Sequence, residues 1–481
     1  MYTNLKFYID GSWTNPTGET VIDVINPADA SVAGRVSIGT AANVDKAVTA
    51  ARKAFTTYSS TSVEERLALL DRIIAAYQQR TGDLALAISE EMGAPTWLAE
   101  QIQVPIGLAH FQIARAALEK FDFGHSQGNN EIVREPIGVV AMISPWNWPM
   151  NQVTCKVAPA LATGCTMVLK PSEISPFSAT ILAEILDEAK VPAGVFNLVH
   201  GDGKSVGNAL TSHPDVDMVS FTGSTAAGIQ VAKNAAETVK RVQQELGGKS
   251  PNIILRSADI GAAVGGGVAQ IMLNSGQSCN APSRMLVPAE RMAEAIAIAR
   301  AAAEEWTVGR PESNAKMGPV ASEAQWNKIQ RLIQAGIDEG AKLVTGGPGR
   351  PDGLENGFYV RPTIFADVTN DMTIAREEIF GPVLTMIGYD DEEEAIRIAN
   401  DTIYGLAAYV QGEPAEAQAV AQKLRAGQVL LNNVQLDLAA PFGGYKQSGN
   451  GREWGAEAFG DFLETKAIVG FRKPPAAQDP A

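Results

Sequence analysis

The chain has 481 residues, too many for one small core, so two or more domains are expected. An apolar fraction of 45% and a charged fraction of 19% are those of an ordinary soluble protein, and no apolar run is long enough to span a bilayer. The net charge of −15 speaks against a nucleic-acid partner, which would want a basic face.

The opening "MYTNLKFYIDGSW" lacks the basic-then-apolar pattern of a signal peptide. Cys155, Cys165 and Cys279 are too sparse for a disulfide framework, so a reducing, cytoplasmic setting is expected. No metal site is expected. There is no CxxC, and His110, His125, His200 and His213 show no ligand spacing.

In chain order, residues 6–25 read as short strands around a turn at "DGS". Residues 44–55 and 62–80 place apolar side chains at helical steps, with acidic residues near each start. Residues 131–146 are β-rich. The pattern then alternates: strand "VVAMIS", a helix around 151–162, strand "TMVLK" and a helix over 175–190. Strands over 196–201 and 217–224 and a helix over 228–237 follow. Such alternation implies a parallel sheet with helices on both faces. A second alternating block runs from about 252 to 430. Its strand candidates are "PNIIL", "RMLVP", "KLVTGG", "PTIFADV", "PVLTMIGY" and "QVLLNN". A short strand, "AIVGFR", precedes a tail, "KPPAAQDPA", expected to be disordered. The fold expected is α/β, two domains with a seam near 246–255.

Cys279 stands in "NSGQSCNAPSR", among small and polar residues. A cysteine that fills a core usually has apolar neighbours, so a reactive thiol is one reading here. "VSFTGSTAAG" is a strand, a turn with Gly223 and a helix start that suits a phosphate, although a plain strand–turn–helix also tolerates Gly there. Lys170 and Glu173 in "VLKPSE" follow a strand end, where α/β sheets bind ligands. Glu173 would accept from ribose hydroxyls and repel a 2′-phosphate; the plain alternative is a solvated Lys and a Glu near a helix start. Glu245 precedes two glycines in "QQELGGKSP", as a cleft carboxylate or a surface turn residue. Asn147 lies in the proline-braced turn "SPWNWPM", where an amide can face an oxyanion.

"PWNWP", "LKPSE", "FTGSTAAG", "ELGGKSP", "GQSC", "EEIFGPV" and "PFGGYKQSG" occur in the order and spacing of the aldehyde dehydrogenase superfamily, which the chain resembles from "YIDGSW" to "FLETKAIVG". The resemblance implies a Rossmann-like NAD-binding domain over 1–117 and 137–247 and a catalytic domain over 248–447. It also implies oligomerisation strands over 118–136 and 455–475. It implies Cys279 as nucleophile, Glu245 as general base and Asn147 as oxyanion donor, in an NAD-dependent oxidation of an aldehyde to a carboxylic acid. NADP is admitted as a second cofactor. Ser144, Trp146, Lys170, Glu173, Gly203, Gly223, Ser224, Glu378 and Phe380 are the implied cofactor residues, and Glu453 matches a second carboxylate of a proton relay.

By the same register, Trp148, Asn151, Gln152, Ser278, Asn280 and Leu436 line the substrate entrance. Cys155 widens it where relatives carry an aromatic. Asn151 and Gln152 make it polar, and no Arg or Lys is added to clamp a carboxylate, so a polar, uncharged aldehyde is expected. The alternatives are a relative that passes the acyl group to coenzyme A, and a non-catalytic structural relative. The partners expected are a small-molecule aldehyde and further copies of the chain, as a homodimer or dimer of dimers, with neither nucleic acid nor membrane. "EIVREPIG" and "TKAIVGF" are the strands expected to build the assembly, with Glu464 facing the partner.

Overall fold

The structure is a computed structural model and describes residues 2–471. The tail "KPPAAQDPA" lies outside the described residues, as does Arg472 of "AIVGFR". Among the described residues, no helix is long and apolar enough to cross a membrane.

The first large sheet has eight strands. In spatial order they are Gly449–Asn450, Arg241–Glu245, Met218–Thr222, Val139–Ile143, Thr166–Lys170, Phe196–Leu198, Phe7–Ile9 and Ser12–Thr14. The five strands from Arg241–Glu245 to Phe196–Leu198 are parallel, and the outer strands join antiparallel. The expected parallel sheet is therefore its centre only, because the strands at each edge come from hairpins and returning chain rather than from crossover helices. Side chains alternate between its faces. Val140 and Met142 enter a core with Leu161, Leu182 and Ile185, while Val139 and Ala141 meet Val44, Ala47 and Val48. Helices thus cover both faces, and the strands read as continuous apolar runs.

The second sheet has seven strands, ordered Lys342–Thr345, Thr363–Ala366, Val383–Tyr389, Arg284–Pro288, Pro251–Ile254, Ala407–Gln411 and Gln428–Leu431. Only Lys342–Thr345 runs antiparallel. It too is covered on both faces, with Ile253 and Leu286 on one side and Ile254 and Met285 on the other. The chain leaves the first sheet at Glu245 and enters the second at Pro251.

Two smaller sheets stand apart, one built from Tyr2–Asn4, Val32–Ser37 and Val21–Ile25. In the other, Leu463–Val469 and Asn130–Pro136 pair with each other over seven residues, and Gly124–Gln127 adds a third strand. Within one chain these segments are therefore partnered. Glu464 lies inside its strand rather than before it and forms an ion pair with Arg241 at 2.9 Å. It is committed within its own chain because Arg241 starts the neighbouring strand of the first sheet.

In-phase register brings the strand ends together. Thr222 is opposite Glu245, Phe221 opposite Ile143, and Ile143 opposite Lys170. Ser144, Lys170, Gly223 and Glu245 therefore share one edge, the carboxyl end of parallel strands where open α/β sheets take ligands.

Candidate active site

Cys279 follows a tight turn. Asn274 and Ser275 have φ of 53° and 55°, and Gly276 has 72°, three successive residues in the left-handed region. Ser275 Oγ donates to the Gly318 carbonyl at 2.8 Å, and Asn274 Nδ2 donates to the Asn147 carbonyl at 2.8 Å. Gln277 Oε1 accepts from the Ala321 N–H at 2.9 Å. These bonds hold the strained turn, which is why the flanks of the thiol are polar. A Cβ on Gly276 would lie 2.0 Å from the Gly381 carbonyl oxygen, so the turn also needs a glycine.

Asn147 Nδ2 donates to the Gln277 carbonyl at 2.9 Å, two residues before Cys279. An amide NH2 carries two hydrogens. The second has no protein acceptor among the described residues, and Asn147 shares a cleft wall with Cys279.

That cleft, of about 190 Å³, brings together Trp146, Gly223, Ser224, Glu245, Glu378 and Phe380 with Cys279. The rings of Trp146 and Phe380 meet edge to face at 5.5 Å. Phe380 has φ of 59°, and Gln325 Nε2 fixes this by donating to the carbonyls of Ile379 and Phe380 at 3.1 and 2.7 Å. Glu378 accepts from the Gly248 N–H at 2.9 Å. Ser224 caps the helix Thr225–Ala236 and leaves its N-terminus exposed beside Gly223.

A second cavity, of about 630 Å³, reaches Cys279 from the other side. Trp148, Asn151, Gln152, Ser278, Asn280 and Leu436 are among the residues that line it. Cys279 and Gln152 belong to both walls, so the thiol stands where cleft and tunnel meet. Cys155 does not widen the tunnel. It packs behind Phe442 and Trp454, whose stacked rings at 4.3 Å occupy the wall, and its thiol donates to Glu453 at 3.3 Å. Cys165 is fully buried core, its thiol donating to the Phe462 carbonyl.

Glu245 is buried on the cleft wall, and neither carboxylate oxygen has a hydrogen-bond partner among the described residues. Burial raises its pKa well above the carboxylate range; the Glu453 charge adds to this, while Lys156 and Arg452 oppose it. Burial also pushes the Cys279 thiol up, reinforced by Glu378, Glu245 and Glu453.

The remaining expected cofactor residues sit along the same sheet edge but off the cleft. Lys170 is buried, and its ammonium donates to the carbonyls of Pro171 at 2.8 Å and Gly201 at 2.6 Å and to Glu173 at 3.3 Å. Its three hydrogens are thus committed within the chain. Ser144 is buried, its hydroxyl unpartnered. Gly203 is exposed, and a Cβ there would meet nothing within 4 Å.

Thr222, Gln325, Lys328 and Gly247 in the cleft were not singled out by the sequence, nor were Gln101, Gln270, Tyr409 and Asn433 in the tunnel. Thr222 closes the "VSFT" strand, so its position was a usable signal; Gln325 and Lys328 lie on an amphipathic helix with nothing to mark them. Among the described residues no three His, Cys, Asp or Glu side chains cluster to hold a metal ion.

Residues 13–468 match the aldehyde dehydrogenase family. A 3-succinoylsemialdehyde-pyridine dehydrogenase from a Pseudomonas species is 56% identical over 469 residues, 97% of this chain and 98% of that protein. A mutant of aldehyde dehydrogenase C from Pseudomonas syringae, solved in complex with NAD+ and octanal, superposes with a TM-score of 0.96. It is 54% identical, and 98% of each chain is covered. Betaine aldehyde dehydrogenase from Staphylococcus aureus, in complex with NAD+, gives a TM-score of 0.93 at 36% identity, covering 98% of this chain and 96% of that one. A thiol between two cavities and a match along almost the whole length lead to one assignment: the chain belongs to the aldehyde dehydrogenase family.

Proposed function

We propose that the chain oxidises an aldehyde to its carboxylic acid with NAD+, with Cys279 as nucleophile, Glu245 as general base and Asn147 as oxyanion donor. The observation that carries this reading is Cys279 at the meeting of cleft and tunnel, with the unpartnered Glu245 carboxyl on the cleft side.

The cleft suits the cofactor. It offers the Trp146–Phe380 aromatic pair, the unpartnered Thr222 hydroxyl, the Glu378 carboxylate and an exposed helix N-terminus at Ser224 for a phosphate. Glu173, on the same sheet edge, favours a ribose diol over a 2′-phosphate, so NAD is preferred and NADP is a poorer second. Residues 1–117 and 137–247 would carry this half of the work and residues 248–447 the catalytic half.

The Cys279 thiolate adds to the aldehyde carbon, and the free N–H of Asn147 and the backbone N–H of Cys279 face the alkoxide. Bound NAD+ supplies the acceptor for the hydride that leaves the thiohemiacetal carbon, and a thioester remains on Cys279. Glu245 then takes a proton from the water that attacks the thioester, which releases the acid and restores the thiol. A water-activating base has less use in transfer to coenzyme A, which makes the acylating alternative the weaker one.

The three thiols form no disulfide, which accords with a reducing compartment, and we assign the chain to the cytoplasm on that ground. We further propose a homodimer or dimer of dimers built on the strand Leu463–Val469.

The test is NADH formation with an aldehyde panel, with and without coenzyme A. Cys279→Ala should abolish turnover while NAD binding stays within a few-fold. Substantial turnover by this variant, an acyl group trapped on Cys155 or Cys165, or production of acyl-coenzyme A would each overturn the assignment.

A further inference from the structure

The tunnel carries more chemistry than the entrance residues suggested. Among the described side chains on its wall, Glu453 is the one acidic or basic residue, and it is ion-paired with Lys156 behind the wall. Among the described residues no lysine, arginine or histidine lines it. Ile102, Ile106, Leu273 and Leu438 supply apolar surface. At about 630 Å³ it is large enough for an aldehyde with a substantial body.

Several amides on the wall have no acceptor among the described residues, and Asn151 and Gln270 are the two whose oxygens are turned away from the tunnel. Asn151 Oδ1 is 2.7 Å from His110 Nε2. His110 is buried on the helix Val104–Leu118, and burial lowers its pKa to about 4, so the ring is neutral at physiological pH. With the Asn151 oxygen as its partner the neutral ring donates through Nε2, and the Asn151 NH2 points away from His110. The Asn151 NH2 then has no protein acceptor among the described residues. Asn151 is 9% exposed, and the cavity it faces is the tunnel.

Gln270 projects from the helix Ile260–Met272 onto the same wall. Its Oε1 is turned into the protein without a donor, and its Nε2 makes no hydrogen bond among the described residues.

We propose that the tunnel selects an uncharged aldehyde whose body carries a hydrogen-bond acceptor, a keto or ether oxygen or a ring nitrogen. Asn151, oriented by His110, and Gln270 donate the N–H groups that recognise it. The proposal rests on the aldehyde-oxidising reading above and adds the substrate class. An aldehyde with a distal carboxylate is disfavoured, because it would be desolvated with no cation to receive it and would face Glu453. A plain alkyl aldehyde binds but leaves both amides unpaired. His110 is a positioning residue, since it acts through Asn151.

The experiment compares kcat/KM for three aldehydes of matched length: alkyl, keto-bearing and carboxylate-bearing. The keto compound should exceed the alkyl one by about tenfold, the worth of one good hydrogen bond, and the carboxylate one by about 100-fold. Asn151→Leu and Gln270→Leu should each lower the keto-to-alkyl ratio by up to about tenfold, mainly through KM. His110→Leu should lower it too, whereas His110→Gln, which keeps an N–H for the Asn151 oxygen, should restore it. A carboxylate-bearing aldehyde used as well as the keto compound overturns the proposal. So does a fall in both substrates by the same factor in the Asn151 and Gln270 variants, which decide the matter even if His110→Leu does not fold. If the alkyl aldehyde gives no NADH, the aldehyde-oxidising reading itself fails. If it gives NADH without preference for the keto compound, only the substrate class fails.

Discussion

Lys156 and Glu453 form an ion pair inside the protein, with side chains 0% and 3% exposed, although 297 positions separate them in the chain. Lys156 comes from the helix after "PWNWP" and Glu453 from the C-terminal segment, and both act on the same third group. Glu453 raises the pKa of Glu245 and Lys156 lowers it. The pair therefore sets how readily the proposed base gives up its proton.

Opposite shifts in the pH profile follow. Below its raised pKa Glu245 is protonated and cannot act as a base, so hydrolysis should rise with pH. Lys156→Met removes the lowering charge and should move this rise to higher pH; Glu453→Gln removes the raising charge and should move it lower. Loss of one partner of a buried pair also costs about 3–5 kcal/mol, so Lys156→Met should unfold at clearly lower denaturant. Profiles that stay in place would show that the pair is purely structural.

Glu245→Gln separates the two halves of the reaction. The amide cannot take a proton from water, so thioester hydrolysis should slow far more than the first NADH-forming turnover. Rapid mixing should show a burst of NADH close to one per site, then a slow steady state whose pH dependence has flattened. Equal loss of burst and steady state would instead assign Glu245 to thiol activation or structure.

The segments of the proposed triplet stood out in the sequence because polar or turn-forming residues surround each side chain. Cys279 has polar flanks, Asn147 sits between indoles and prolines, and Glu245 precedes a Gly-Gly pair. The alternation of strands and helices was legible from apolar period. The strand Ala407–Gln411 was not, since "AAYVQ" has only one β-branched residue. The helix Ile260–Met272 was hidden by its three consecutive glycines, which argue against helix on propensity alone. The fold uses two of them for contact: a Cβ on Gly266 would lie 2.4 Å from Asn433 Nδ2, and one on Gly267 2.6 Å from Asn252 Nδ2 and from Met285 Cε. The intrachain partners of Lys170 and Glu464 could not be read from neighbours in sequence. The Gly201 carbonyl and Arg241 that engage them lie far from them in the chain. His110 gave no signal either, because a lone histidine on a helix most often packs into a core.

The Gly247–Gly248 pair gives two distinct outcomes from one kind of change. A Cβ on Gly247 would lie 2.6 Å from Glu378 Oε2, the movable end of a side chain in the cofactor cleft. Gly247→Ala should therefore weaken NAD binding, by about tenfold in KM, with kcat less affected. A Cβ on Gly248 would lie 2.5 Å from the Cys279 carbonyl oxygen, which is backbone and cannot swing aside. Gly248→Ala should displace the thiol and cost about 100-fold in kcat, the scale of a 1 Å misplacement. Steady-state kinetics with varied NAD and aldehyde distinguishes them; the same pattern in both variants would mean that the segment moves as one body.

The strand Leu463–Val469 bears on the assembly. It pairs with Asn130–Pro136 along one edge only, at the end of its three-stranded sheet. From Glu464 onward its residues are exposed, Val469 by 81% and Ile468 by 40%. An open edge with apolar side chains is a template for another chain. Light scattering at micromolar concentration should show a dimer or tetramer. A truncation after Glu464, which removes most of the strand, should weaken association at least tenfold. Ile468→Asp should do the same without shortening the chain, by placing a charge where an apolar contact is required. Glu464→Ala should leave the assembly intact, because Glu464 is engaged with Arg241 of its own chain. A stable, fully active monomer would reject the assembly outright. Dissociation by Glu464→Ala with no effect of Ile468→Asp would move the interface away from this edge.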